Sequence, residues 1–154
     1  MSADGLSDDE VRQILISADV FAVVGASVKP DRPSYGVMAA LVAQGYDLQP
    51  INPGNAGQMI HGYRVRASLA DCSPPVDVVD IFRNSDAAAD AVEDAVRLKT
   101  ALGIKTVWMQ LGVVNEAAAL RGRAAGLTVV MDRCPKIEIA RLGLVPKTAA
   151  RPSR

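Results

Sequence analysis

The stretch Val20-Phe21-Ala22-Val23-Val24-Gly25-Ala26-Ser27-Val28-Lys29-Pro30-Asp31-Arg32-Pro33-Ser34-Tyr35-Gly36 decides the fold. It opens as a short β-branched and apolar run and ends that run on a glycine. A polar, proline-containing loop follows, and then the helical sequence 37–44. A buried strand, a tight glycine turn and a helix N-terminus together make a cradle for a phosphorylated ligand. Backbone N–H groups converge there and the helix dipole favours negative charge. Ser34 is the expected N-cap of this helix, and Gly45 its stop.

Upstream, Ser7 and Glu10 have the spacing of a capping box. Val11, Ile14, Leu15 and Ala18 fall at helical intervals, so residues 7–17 are expected to be a helix. Downstream, apolar runs predict strands at 47–51, 76–82, 105–109 and 127–131, with Pro50 marking a sheet edge or a strand end. Residues 52–57 form a turn, 61–66 a short further strand and 68–71 a single helical turn. A long alanine-rich helix, capped by Ser85 or Asp86, runs to about Leu102 and is stopped by Gly103. A second helix covers 115–125 and a short one 136–141, and the proline-containing basic tail 145–154 is expected to be loose.

Strands alternating with helices across short polar turns predict a three-layer α/β fold. Its sheet is doubly wound, mainly parallel and about five strands wide. Ligands of such sheets sit at the carboxyl ends of the strands, where the strand order reverses. The turns after Val24, Ile51, Ile81, Met109 and Met131 are therefore the ones that carry function.

Composition narrows the classes. The 154 residues suit one domain, residues 1–154, with a core of Val, Ile, Leu and Ala. Lys+Arg and Asp+Glu are both 17, which argues against a general nucleic-acid binder. No apolar run has the length of a membrane span, and the acidic N-terminus lacks the layout of a signal peptide. Cys72 and Cys134 make neither a disulfide framework nor a metal-ligand spacing. A cytoplasmic protein without a metal site is expected.

The first turn is not a full dinucleotide fingerprint. Gly25-Ala26-Ser27 has Ser27 where the second glycine of Gly-x-Gly-x-x-Gly stands, and Pro30 where the third does. The second strand ends in Asn52-Pro53 rather than the acid that a ribose would want. Both departures argue against NAD.

Taken in order, Gly25-Ala26-Ser27, Ser34-Tyr35-Gly36, Ile51-Asn52-Pro53, Ile81-Phe82-Arg83, Trp108-Met109-Gln110-Leu111-Gly112 and Met131-Asp132-Arg133-Cys134 form a more specific set. This set resembles the stand-alone coenzyme A-binding domain family, related to the nucleotide-binding domain of the succinyl-CoA synthetase α subunit. The resemblance covers roughly residues 12–142. It implies a Rossmann-type fold that holds coenzyme A (CoA) or an acyl-CoA at the strand ends. The family's glycine turn falls on Gly25, Ala26 and Ser27, its Asn-Pro turn on Asn52 and Pro53, and its Phe-Arg turn on Phe82 and Arg83. The phosphohistidine domain and ATP-using subunit of the larger synthetases have no counterpart in the sequence, so their reaction does not carry over.

Residue chemistry agrees with such a ligand. A pyrophosphate and a 3′-phosphate want backbone donors and cations. The Gly25–Ser27 turn and the Ser34 helix end are expected to supply donors, and Lys29, Arg32 and Arg83 charge. Asn52 and Phe82 are expected to flank the adenine, one by hydrogen bonding and one by packing. Each residue also has a plainer role. Lys29 and Arg32 are otherwise solvated loop charges, Arg83 a partner of Asp80 or Asp132, and Asn52-Pro53 a turn former. Gln110 either reaches the ligand or caps the turn after its strand.

Trp108 reads as core or pocket wall, His61 as an exposed loop residue and Cys134 as a buried thiol beside Arg133. Asp77 and Asp80 face opposite sides of one strand and are not a catalytic pair. No catalytic constellation emerges, so a non-catalytic binding or regulatory module is expected. The alternative is a nicotinamide- or adenine-nucleotide-binding enzyme or enzyme subunit. A protein partner, with the acidic N-terminus or the basic tail as contact surface, and self-association are both left open.

Overall fold

The computed structural model describes residues 2–147. Its frame is a sheet of five parallel strands: β1 (Val20–Val24), β2 (Asp47–Ile51), and, numbered in chain order, β5 (Val78–Ile81), β6 (Thr106–Met109) and β7 (Thr128–Val130). The intervening β3 (Met59–Ile60) and β4 (Tyr63–Arg64) form a separate two-residue antiparallel hairpin. The short strand expected within 61–66 is thus one arm of a hairpin, and His61-Gly62 is its turn. Strand order in the main sheet is β2-β1-β5-β6-β7, so the order reverses between β1 and β5. β2 is an edge strand, the position that Pro50 predicts, since proline brings no N–H to a ladder.

Helices cover both faces. α1 (Asp8–Ser17), α2 (Pro33–Gln44) and α5 (Pro135–Arg141) lie on one side, α3 (Ser85–Leu102) and α4 (Glu116–Ala124) on the other. Alternation along each strand serves the two layers. Phe21, Val23, Val78 and Trp108 pack with Val11, Leu15, Met38 and Leu41, whereas Ala22, Val79 and Val107 pack with Ala88, Val92, Ala95 and Ala119. Trp108 is fully buried, and its indole Nε1 donates to the Arg133 carbonyl at 2.7 Å. It is core, and it pins the turn after β7.

The caps follow local chemistry with two corrections. The Ser7–Glu10 capping box is present at α1, and Gly45 and Gly103 end α2 and α3 in the left-handed conformation. Ser34 does not cap α2: Arg32 is the N-cap residue and Pro33 takes the first turn, where its missing N–H costs nothing. α3 is capped by Asn84, whose Oδ1 accepts from the Ala87 N–H at 2.8 Å, rather than by Ser85 or Asp86.

The chain ends are held more firmly than the sequence suggests. Asp4 is sealed from solvent and accepts from Arg133 Nε at 2.8 Å and Nη2 at 3.0 Å, and from the Met131 N–H at 3.0 Å. Arg133 also reaches Glu138 at 2.7 Å. In the expected loose tail, residues 145–147 lie against α1 and α2. Gln44 Nε2 donates to the Val145 carbonyl at 2.8 Å, and Lys147 reaches the Ile16 carbonyl. Residues 148–154 of that tail lie outside the described residues.

Burial raises the pKa of Asp4, but the bonds from Arg133, Met131, Leu6 and Ser2 outweigh it and hold the carboxyl at about 2 instead of 3.8. A carboxyl with a depressed folded pKa contributes stability above its unfolded value and loses it as pH falls through the folded one. Thermal melts should therefore show a loss on the order of 2 kcal/mol between about pH 4 and pH 2. Asp4→Asn should be less stable at pH 7 and lack that part of the acid transition.

Candidate functional site

Where strand order reverses, the turns after β1 and β5 touch. Gly25 has φ +89°, and a Cβ there would stand 2.3 Å from the Phe82 carbonyl oxygen. Glycine is therefore required twice, for backbone angle and for close approach. The Gly25 and Ala26 N–H groups both donate to the Ile51 carbonyl, at 3.0 and 3.1 Å, and the Ser27 N–H donates to Ser34 Oγ at 3.1 Å. The turn's three expected phosphate donors are thus already engaged in holding β1, β2 and α2 together. Ser34 is buried one residue inside α2, where its hydroxyl ties the helix start to the turn.

Above these turns lies a cleft of about 600 Å³. Gly25, Ser27, Lys29, Arg32 and Ser34 line it from β1 and the start of α2, Asn52 from the end of β2, and Phe82 and Arg83 from the end of β5. Eight of the ten expected residues are thereby brought to one concavity. Ala26 is fully buried beneath the turn, and Pro53 begins an exposed 3₁₀ turn; neither lines the cleft. The lining further includes Pro33, Asn55, Asn84, Gln110, Leu111 and Val113. The signal for these was their place in turns after strands.

Lys29, Arg32 and Arg83 are exposed and make no ion pair among the described residues, so their charge is available to a ligand. Arg83 pairs with neither Asp80 nor Asp132. Asn52 is engaged at both ends of its amide: Nδ2 donates to the Ala26 carbonyl at 2.8 Å and Oδ1 accepts from the Gly54 N–H at 3.0 Å. It braces the first turn as well as facing the cleft. Among the described residues lining the cleft there is no carboxylate, imidazole or thiol.

The other residues weighed from sequence lie elsewhere. His61 is half-buried in the hairpin turn, its Nε2 2.9 Å from the Tyr35 carbonyl and its ring 4.4 Å from the Tyr35 ring. It is a packed residue, not an exposed one. Cys134 is buried at the start of α5. Asp77 accepts from the Asp19 and Val20 N–H groups and holds the entry to β1. Asp80 faces the α1, α2 and α5 layer beside Trp108, fully buried, with no partner for either oxygen among the described residues.

In doubly wound parallel sheets the switch point, where this cation-lined cleft lies, is the usual place for a ligand. Residues 19–140 match the CoA binding domain model, and the chain belongs to that family. It is 34% identical over 131 residues to the uncharacterized protein YneT of Bacillus subtilis, covering 85% of this chain and 93% of that protein. A hypothetical protein of Pyrococcus horikoshii OT3 superimposes with TM-score 0.83 at 35% identity, over 92% of this chain and 96% of that one. The fold also recurs in an acetyl-coenzyme A synthetase of Candidatus Korarchaeum cryptofilum (TM-score 0.66, 22% identity). There it covers 82% of this chain but 28% of the synthetase.

Two outcomes test this geometry. Gly25→Ala should destabilise the protein by at least about 2 kcal/mol in urea unfolding, since strain and overlap act together. Burial pushes the Asp80 pKa well above 3.8, and a raised carboxyl pKa means stability that is full at low pH and lost as pH rises through the folded value. Asp80→Val should therefore raise the melting temperature at pH 8 by more than at pH 5.

Proposed function

We propose that the chain binds CoA or an acyl-CoA along the carboxyl edge of the sheet, as a binding module without catalytic groups of its own, with residues 1–154 forming one such domain. The observation that carries this reading is the trio Lys29, Arg32 and Arg83, exposed and unpaired among the described residues, around one cleft at the switch point. CoA presents a diphosphate and a 3′-phosphate, and guanidinium groups meet phosphate through two parallel hydrogen bonds. Membership of the CoA binding domain family supports the same ligand.

With the Gly25–Ser27 N–H groups engaged, recognition passes to the side-chain cations and to the start of α2, whose dipole favours an anion. Phe82, half-buried in the lining, offers an apolar face for the adenine or the ligand's arm. Among the described residues the lining offers phosphate-binding cations and no carboxylate, imidazole or thiol, which supports holding a ligand rather than transforming it. Asn52 at the end of β2, engaged with backbone on both sides, offers no carboxylate to the ribose diol of a nicotinamide dinucleotide.

Calorimetric titration tests the reading. Wild-type protein should bind CoA saturably, and Arg83→Ala should weaken binding about tenfold, or about 1.4 kcal/mol. Added salt should weaken the wild type more than the variant. Tight binding of NADH without any response to CoA would overturn it.

A further inference from the structure

Charge is used unevenly over the described arginines. Arg12, Arg97, Arg121, Arg133 and Arg141 are ion-paired, and Arg123 reaches the Asp4 carbonyl. Arg32, Arg64, Arg66 and Arg83 have no ion pair among the described residues. These four gather at the carboxyl ends of β1, β2 and β5. Arg32 and Arg83 line the cleft described above, whereas Arg64 and Arg66 line a second concavity of about 380 Å³.

The second concavity is built on the edge of the sheet. Arg66 runs beside the end of β2: its N–H donates to the Pro50 carbonyl at 2.9 Å, and its carbonyl accepts from the Asn52 N–H at 2.9 Å. Alternation along this extended segment turns Tyr63 and Val65 to the core and Arg64 and Arg66 to the opposite side. The two arginines are two positions apart, about 7 Å along the chain, so both long side chains can reach one anion. The turn 52–57 divides the two concavities, with Asn52 and Asn55 facing the cleft and Ala56 and Gly57 facing the arginine pair. Asp71, the one carboxylate of this lining, accepts from Ser68 Oγ at 2.9 Å and pairs with neither arginine.

Arg66 is half-buried, and a cation partly removed from water without a counter-charge is unfavourable until an anion completes it. We infer that Arg64 and Arg66 form a second anion site, separate from the cleft, that takes a phosphate group. Guanidinium forks meet phosphate oxygens through paired hydrogen bonds, and a phosphate near pH 7 carries close to two charges where a carboxylate carries one. Two arginines on one strand match that charge. The inference does not rest on the CoA reading of the cleft.

Amide chemical-shift mapping with inorganic pyrophosphate, at constant ionic strength, tests it. Saturable shifts are expected at 56–57 and 64–67. In the double variant Arg64→Gln, Arg66→Gln the affinity read at those amides should fall at least about tenfold, while that read at residues 25–36 and 82–84 changes by less than about twofold. Arg64→Gln alone, at an exposed position, provides a second variant, with a smaller loss at the same amides. Shifts that grow linearly, persist in the double variant or are matched by chloride would mean an adventitious ion only and overturn the site. If CoA alone saturates residues 64–67 and abolishes their response to pyrophosphate, the arginines belong to the cleft's ligand, and the separate site is overturned while the CoA reading stands.

Discussion

The backbone of Gly25 runs so close to the Phe82 carbonyl that no side chain fits between them, a Cβ falling 2.3 Å from that oxygen. This contact joins the carboxyl ends of β1 and β5, the two central strands between which strand order reverses. From it the rest of the site is built. The Ile51 carbonyl gathers the N–H groups of Gly25 and Ala26, and Ser34 gathers that of Ser27. Three strand ends and one helix start are thereby locked into a single rigid rim.

That rim has a consequence for recognition. A glycine turn after a parallel strand ordinarily offers its N–H groups to phosphate. Here those groups hold the scaffold, and the positive charge facing the cleft comes from exposed side chains on the surrounding loops. Such a site is well suited to an extended, multiply phosphorylated molecule laid across several strands. On the proposed reading, the rigid rim sets the shape of the cleft and the side chains set its affinity.

Much of this was legible in the sequence. The apolar runs, the glycine stops and the alternation of strand and helix specify the parallel sheet, and the polar residues after each strand specify the cleft. What escaped has physical causes. Ser34 looks like a cap because short hydroxyl residues usually are, yet Pro33 suits the first helical turn and displaced it. The turn's N–H groups look available because their acceptor, the Ile51 carbonyl, lies on another strand. Asp4 looks like part of an acidic surface, and its partner Arg133 is 129 positions away. Arg133 itself, read as part of the ligand-facing set of turns, is consumed by Asp4 and Glu138. Gln110 was weighed from sequence as a ligand contact or a turn cap; it lines the cleft, and the turn after β6 is closed by its backbone carbonyl rather than its carboxamide.

The central claim is that CoA occupies the cleft at the switch point, and amide chemical-shift mapping tests it most directly. On titration with CoA, the account predicts saturable shifts confined to residues 25–36, Asn52 and Asn55, 82–84 and 110–113. Shifts centred instead on the apolar groove formed by Leu15, Tyr46 and Leu144, or no shifts at millimolar CoA, would contradict it.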